Sequence, residues 1–465
     1  MSELKANLSN SDKKFREFVL SDNMWRVILR ISLPLMAYQG LMHIFKIFDT
    51  LMAAHISSDA VSSIAFISQI SFLIQSIGNG LSIGAGMKIS EAYGAGDYTL
   101  VKRRVSTVYV MCAIVSALVM LIIPFNESFL RMSGTPETMI AIGSKYFAVE
   151  VASIVLNFFT SVYIAIERAR GNSRLILKLN ILFLTIKLVL TAIFVYALSG
   201  DVVMIAMATL ISQLVFFAIA VRNMRIKDNL FGFSFSAVSF KKEVFLPVLK
   251  TSYPAMIERA AFAYGKLIVN SMCTHYGDLT VGALGVSNNI SGTSTALQNG
   301  FQDGGSSIIS QNVGAGEHGR ALDAFRKTFI INTAIGLVLS AVILIFLDFI
   351  SSFFSSGDPV FHEMIKDVTR YELMGVVTLG MNAAVMALLY GYGYTKLTLV
   401  LNAARLFVFR IPVLWYLQNF TDYGSESAGI VMMVSNISVG VMAVITSIFV
   451  VQRIKKKYIK NSAES

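Results

Sequence analysis

The sequence predicts an all-α integral membrane protein, twelve transmembrane helices in two pseudo-symmetric six-helix bundles. Three observations carry that expectation: an apolar composition, a count of about twelve long apolar runs, and an internal repeat. Of 465 residues, 55% are hydrophobic and 14% charged, and the mean hydropathy is +0.65. Soluble chains carry roughly 25% charged residues. A chain this long and this apolar cannot cover its own surface with polar groups, so lipid is the solvent it fits. The formal charge of +11 does not point to nucleic acid, because the basic residues sit in short loops between apolar runs.

The elements follow in chain order. Residues 1–24 are polar and of mixed charge, without the layout of a signal peptide. They read as a cytoplasmic or interfacial segment leading into the first span. A span needs roughly 20 mostly apolar residues. Such runs fall near 27–52, 61–87, 105–125, 140–163, 175–198 and 202–222, then near 248–274, 280–307, 328–349, 368–391, 397–418 and 428–452. With the N-terminus placed inside, the cytoplasmic loops collect Lys102, Arg103, Arg104, Arg168, Arg170, Arg174, Arg320, Arg326 and Lys327, while the opposite loops carry Asp59, Glu127, Asp201, Asp278 and Asp422. That asymmetry predicts both termini inside. The expected organisation is a first lobe over 25–224, a cytoplasmic linker over 225–246, a second lobe over 247–453 and a basic cytoplasmic tail over 454–465.

The halves overlay without gaps across about 65 residues. At an offset of 220, Pro34 falls on Pro254, Lys46 on Lys266, His55 on His275, Asn79-Gly80 on Asn299-Gly300, Gly84 on Gly304 and Ser90 on Ser310. Gly94-Ala95-Gly96-Asp97 falls on Gly314-Ala315-Gly316-Glu317. At an offset of 222, Gly171 to Arg174 falls on Gly393 to Lys396, and Asn180 on Asn402. Generic apolar helices would match at Leu and Val; these matches are at Gly, Pro, Asn, Lys and His. Six spans per half make the repeats parallel, an arrangement that in transporters places the site at the repeat interface.

These residues also resemble a known family. Phe48 to Ala54, with Asp49 at its head, is similar to the first-span aspartate motif of the MATE (multidrug and toxic compound extrusion) transporters. Tyr93 to Asp97 and Asn312 to Glu317 resemble that family's paired cytoplasmic loops, Arg170 to Arg174 the loop entering span five, Pro254 with Glu258 and Arg259 the start of span seven, and Arg405 to Pro412 the pattern of span eleven. The resemblance runs from about Ile31 to Val451. It implies a V-shaped twelve-helix exporter of the bacterial branch, driven by a proton or sodium gradient, acting as a monomer, with organic cations, drugs or dyes as common cargo. It also implies a departure. Where many members carry an Asn and an Asp in span five beside the first-span aspartate, this chain has Lys187 and Thr191; Thr209 in span six keeps a family position that supports the site. Sodium binding in the first lobe is thereby put in doubt.

Ionisable groups at membrane depth face a cavity or a partner, because lipid penalises them by several kcal/mol. In span one, Gln39, His43, Lys46 and Asp49 share one helix face. Two readings fit: a cavity lining, or a structural Lys46–Asp49 pair. Lys187 lies about thirteen residues past Arg174, roughly 20 Å along a helix, too deep to reach back to the cytoplasm. A Lys187 ammonium beside Asp49 would stand where a sodium ion sits in relatives; a permanently ionised structural pair fits equally. Glu258, one turn past Pro254, is either a proton carrier or the partner of Arg259. Lys266 mirrors Lys46 and either lines the cavity or anchors at the interface. Asn270, Asn299 and Asp303 read as wet cavity lining, Glu150 as the remaining acid candidate in the first lobe, and Arg405 as a cavity cation. The ion-coupling set is therefore Asp49, Lys187, Thr191, Thr209, Glu258 and Glu150. The cavity set is Gln39, His43, Lys46, Lys266, Asn270, Asn299, Asp303 and Arg405.

Nothing in the sequence suggests an enzyme. Gly94-Ala95-Gly96 lacks the strand and spacing of a dinucleotide site, and the five histidines and two cysteines show no metal spacing. The expected function is an ion-gradient-driven antiporter, with H+ favoured over Na+ and no other cofactor. It would export drugs or small organic molecules by alternating access, in the cell membrane. The excess of intramembrane Lys and Arg keeps an alternative open, a flippase or exporter of a lipid-linked or anionic metabolite on the same superfamily fold.

Overall fold

The computed structural model describes residues 8–54, 58–133, 135, 137–198, 200–226, 229–355 and 357–460, with the backbone alone over 46–54, 58–66, 69, 137–139, 141, 142, 278 and 460. Among the described residues every regular element is helical. In order they are α1 (Asn10–Ser21), α2 (Met24–Ala54), α3 (Ser58–Ala95), α4 (Tyr98–Met120), α5 (Asn126–Met132), α6 (Glu137–Arg170), α7 (Ser173–Ala192) and α8 (Val202–Met224). The second half follows with α9 (Lys242–Cys273), α10 (Asp278–Gly314), α11 (His318–Ile345), α12 (Leu347–Ser355), α13 (Pro359–Met374), α14 (Val376–Gly391), α15 (Thr395–Phe407), α16 (Ile411–Phe420) and α17 (Glu426–Ile454).

Each of the twelve expected spans lies on one of these helices or helix pairs. The spans over α2, α4, α6, α7, α8, α11, α15 with α16, and α17 are long and apolar enough to cross a membrane by themselves. The pair α13 and α14 qualifies as one span bent by 44°. Of the three remaining long helices, α3 and α10 are diluted by glycine, serine and amide residues, and α9 by the charged Lys250, Glu258, Arg259 and Lys266. The glycines, serines and amides of α3 and α10 serve close helix approach and buried hydrogen bonds.

Two compact units emerge, one of residues 1–18 with 44–260, the other of 19–43 with 261–465. Each unit thus takes the opening part of a span from the other half of the sequence: the second holds the start of α2, the first the start of α9. The repeat offset explains the exchange. Pro34 inside α2 and Pro254 inside α9 are equivalent positions, and each removes a backbone donor from its helix.

In the first unit, a Cβ on Gly84 would lie 2.1 Å from Ser252 Oγ, and one on Gly80 would lie 2.5 Å from Met256 Cα. In the second unit, Gly304 would meet Ser32 Oγ at 2.1 Å and Gly300 would meet Met36 Cα at 2.3 Å. Both partners differ by the same 220 positions. The duplicated glycines are therefore notches that let the α9 backbone press into α3, and the α2 backbone into α10. The loops repeat as well. Gly96 and Gly316 both have φ of +79°, and Asp97 N and Glu317 N return to the carbonyls of Ala92 and Asn312 at 3.1 and 2.8 Å. Only a residue without Cβ takes that backbone conformation cheaply.

The first unit's core gathers Ile67, Ile74, Val108, Cys112, Phe147 and Phe158 among others. Cys112 and Cys273 are buried and carry free thiols.

Candidate functional site

In the second unit the polar groups of the spans assemble around three features. In the middle of α2, Gln39 donates from Nε2 to Asp303 Oδ2 on α10 at 3.3 Å, and His43 Nε2 lies 2.9 Å from the carbonyl of Asn289. The ring of His43 fills a gap at Gly292, where a Cβ would lie 2.6 Å from it. Two expected cavity residues, Gln39 and Asp303, are thus joined. Asn299 and Lys266 expose their side chains, and Asn270 is half-buried.

The second feature is a pair of arginines at the broken span. Arg405 donates to Asn436 Oδ1 at 2.7 Å and lies 5.4 Å from the Phe262 ring. Arg410 donates to Ser435 Oγ at 3.0 Å and to the same Asn436 oxygen at 3.1 Å. Pro412 opens α16 and stops the helix from running on through Arg410. The break brings both guanidinium groups onto one amide of α17.

The third feature is a carboxylate absent from the expected set. Glu372 on α13 is 4% exposed. It accepts hydrogen bonds from Ser287 at 2.5 Å and Ser291 at 2.7 Å, one turn apart on α10, and it lies within electrostatic reach of Arg405 and Arg410. The signal for it was present in the chain. At the offset of 222 that pairs Gly171 with Gly393, Glu150 falls on Glu372. The two glutamates are one position of the duplication, half-buried in the first unit and buried in the second.

In the first unit the side chains of Lys46 and Asp49 lie outside the described residues, so their relation to span five is not part of the geometry. Thr191 is fully buried and Lys187 half-buried on α7. Thr209 turns its hydroxyl back to Ile205 O of its own helix at 3.2 Å, and Asn180 likewise returns to Ile176 O at 2.8 Å. Glu258 is 4% exposed on α9. A carboxylate so placed requires compensation, since an uncompensated buried charge costs several kcal/mol.

Comparison with known proteins places this architecture. The MatE family model matches residues 34–193 and 254–416, one stretch in each half of the repeat. The probable multidrug resistance protein YoeA of Bacillus subtilis is 22% identical over 408 residues, covering 86% of this chain and 88% of its own. The multidrug export protein MepA of Staphylococcus aureus (strain NCTC 8325 / PS 47) is 23% identical over 400 residues, covering 82% and 88%. Among solved structures, a MATE protein in complex with MaL6 superposes with a TM-score of 0.91 at 18% identity, covering 97% of this chain and 100% of its own. A MOP superfamily transporter from Pyrococcus furiosus Vc1, described as having a binding pocket of reverse polarity that suggests a different function, superposes at 0.90 with 17% identity, covering 97% and 99%.

Proposed function

The chain belongs to the MatE family, a membrane transporter and not an enzyme, and from that premise we propose an antiporter that exports drugs or other small organic molecules against an ion gradient, with H+ as the coupling ion rather than Na+. The cargo class follows the printed roles of the relatives from Bacillus subtilis and Staphylococcus aureus. The observation that carries the choice of ion is the half-buried ammonium of Lys187 on α7, a fixed cation at a position that the family resemblance assigns to a cation site. By the family resemblance, Lys187 and Thr191 stand where many members carry the Asn and Asp that complete a cation site with the first-span aspartate. In this reading Asp49 is the principal coupling acid, shaped by Lys187, Thr191 and Thr209, with Glu150 and Glu258 as further carriers. The protein works as a monomer in the cell membrane with both termini cytoplasmic, and its two six-span lobes alternate access to the cargo.

Reconstitution in dye-loaded liposomes under an imposed proton or sodium gradient tests this. The expected result is efflux driven by the proton gradient in sodium-free buffer and abolished by Asp49→Asn, with folding retained. Undiminished efflux by Asp49→Asn removes that residue from its role, and sodium-only efflux removes the proton.

One observation favours a second reading, export of an anionic or lipid-linked metabolite. Arg405 and Arg410 hydrogen-bond to the neutral Asn436 and Ser435, and two guanidinium groups share the one carboxylate of Glu372, so the site leans positive at span depth. The Pyrococcus furiosus neighbour of reverse pocket polarity is a precedent on this fold. If anionic cargo alone moves, and Arg405→Gln stops it, this second reading replaces the first.

A further inference from the structure

The second unit carries a file of buried polar side chains that the first unit replaces in part with hydrocarbon. On α10, Ser287, Ser291, Ser294, Gln298 and Gln302 follow one another at steps of four, three, four and four, which places them on one face. All five are buried. Contacts fix what that face meets. Ser287 and Ser291 bond Glu372. Gln298 Nε2 lies 3.4 Å from Asn332 O on α11 and 3.4 Å from Val376 O at the start of α14. Gly305, one turn beyond Gln302, packs against Thr328, with its Cβ position 2.9 Å from the hydroxyl oxygen. From Ser287 to Gly305 the stripe runs roughly 27 Å at 1.5 Å per residue, close to the apolar thickness of a bilayer.

Two positions of the file stay polar in the first unit, Ser71 for Ser291 and Ser82 for Gln302. The remaining equivalents are Ile67 for Ser287, Ile74 for Ser294, Gly78 for Gln298, Val108 for Thr328, Cys112 for Asn332 and Phe158 for Gly380. Five of those six belong to that unit's hydrophobic core. The sixth, Gly78, is the notch into which the Phe158 ring packs, 2.1 Å from a built Cβ. In the second unit the pair is reversed: a glutamine stands at the notch and a glycine where the ring would be. A Cβ on Gly380 or Gly336 would lie 2.6 or 2.9 Å from Gln298 Nε2, so the seat is cut to an amide.

Among the described residues, Ser294 Oγ, Gln298 Oε1, Thr328 Oγ1 and both polar atoms of the Asn332 side chain have no hydrogen-bond partner. Leaving buried polar atoms unpaired costs about 1–3 kcal/mol each, and buried water typically binds to otherwise-unsatisfied polar groups of this kind.

We propose that this file is a water-hosting proton path serving Glu372, a second route for the coupling ion built into the C-terminal half. It rests on the proton-coupled reading above. Glu372 takes a proton onto a carboxylate oxygen from water on one side. The neutral carboxyl then returns it to the waters held by Ser294, Gln298, Asn332 and Thr328, and an O–H bond forms for each one broken, with no electron transferred. The amides and hydroxyls orient that water and are positioning residues.

Infrared difference spectroscopy on the intact protein in liposomes tests the path without reference to cargo. The acid-form carboxyl band of Glu372, identified by its loss in Glu372→Gln, is followed during a switch to D2O. Gln298→Met and Asn332→Leu should slow its deuterium exchange by about tenfold or more, while Asn332→Ser, which keeps a hydroxyl, should not. The thermal midpoint of each variant is measured alongside, so that slowed exchange is scored only in folded protein. Gln298→Gly with Gly380→Phe, which imports the first unit's filling, is the second construction and should also block exchange. Equal exchange in all folded variants, or no carboxyl band that disappears in Glu372→Gln, overturns the proposal. If exchange follows the file but wild-type efflux ignores the proton gradient, the path stands and the coupling role assigned above falls.

Discussion

At the scale of single residues, the left-handed glycines separate backbone strain from packing. Gly316 at φ +79° has open space where a Cβ would go, whereas at Gly171, φ +86°, a Cβ would lie 1.9 Å from the Phe15 ring. Gly316→Ala should therefore cost only the backbone term, about 1–2 kcal/mol. Gly171→Ala should cost more, because the ring of α1 must also move. Thermal unfolding in detergent checks both, and equal losses would mean that Phe15 yields without penalty. Residue identity was legible in the chain where it repeated at the first offset: the matching glycines and prolines pointed to partners. Glu372 went unread because it matches at an offset of 222, two beyond the run that aligns the first spans, and because its partners Ser287 and Ser291 look unremarkable in an apolar stretch.

At the scale of elements, apolar periodicity located every span but not how the ends are tied. The opening segment reads from sequence as a polar lead-in. It folds instead as α1, docked by Asp12, whose carboxylate accepts from Arg170 Nε at 2.6 Å, by Tyr93, whose hydroxyl donates to Asp12 O at 2.6 Å, and by Arg16, which donates to Gly94 O at 2.7 Å. Asp12 and Arg170 lie 158 positions apart, a separation no local pattern can reveal. Asp12 is buried and the Arg170 side chain keeps 21% exposure. Asp12→Ala should thus lose about 1–3 kcal/mol, below the full cost of breaking an interior pair because water still reaches the guanidinium. The readouts are the thermal midpoint and faster proteolysis of the N-terminal segment; an unchanged midpoint would make α1 a passive appendage. The bend of 44° between α13 and α14 was equally hidden. Its cause is tertiary: Gly375 sits against Asn436, 2.5 Å from a built Cβ, while the aligned Ser153 lies in the unbroken α6.

At the scale of the whole chain, duplication decides what is shared and what has diverged. Shared are the notches through which α2 and α9 exchange between halves. Diverged is the interior, hydrocarbon around Phe158 in one unit and amides around Gln298 in the other. The notches allow an internal comparison. Gly84→Ala and Gly304→Ala both put a methyl 2.1 Å from a serine hydroxyl, and overpacking of this kind costs about 1–3 kcal/mol. Removing the hydroxyls should not rescue them equally. At Gly304 the remaining neighbours of the added methyl are Ser32 Cβ at 2.9 Å and Cα at 3.1 Å, so Ser32→Gly clears the two nearest atoms. At Gly84 the remaining neighbours are the backbone N and Cα of Ser252, at 2.6 and 2.7 Å, which no substitution at 252 can move aside. Gly304→Ala with Ser32→Gly should recover most of the lost thermal midpoint, and Gly84→Ala with Ser252→Gly little of it. Equal rescue would mean that the α9 backbone shifts as readily as a side chain, and that the two crossings are not held with the same firmness as their matching residues require.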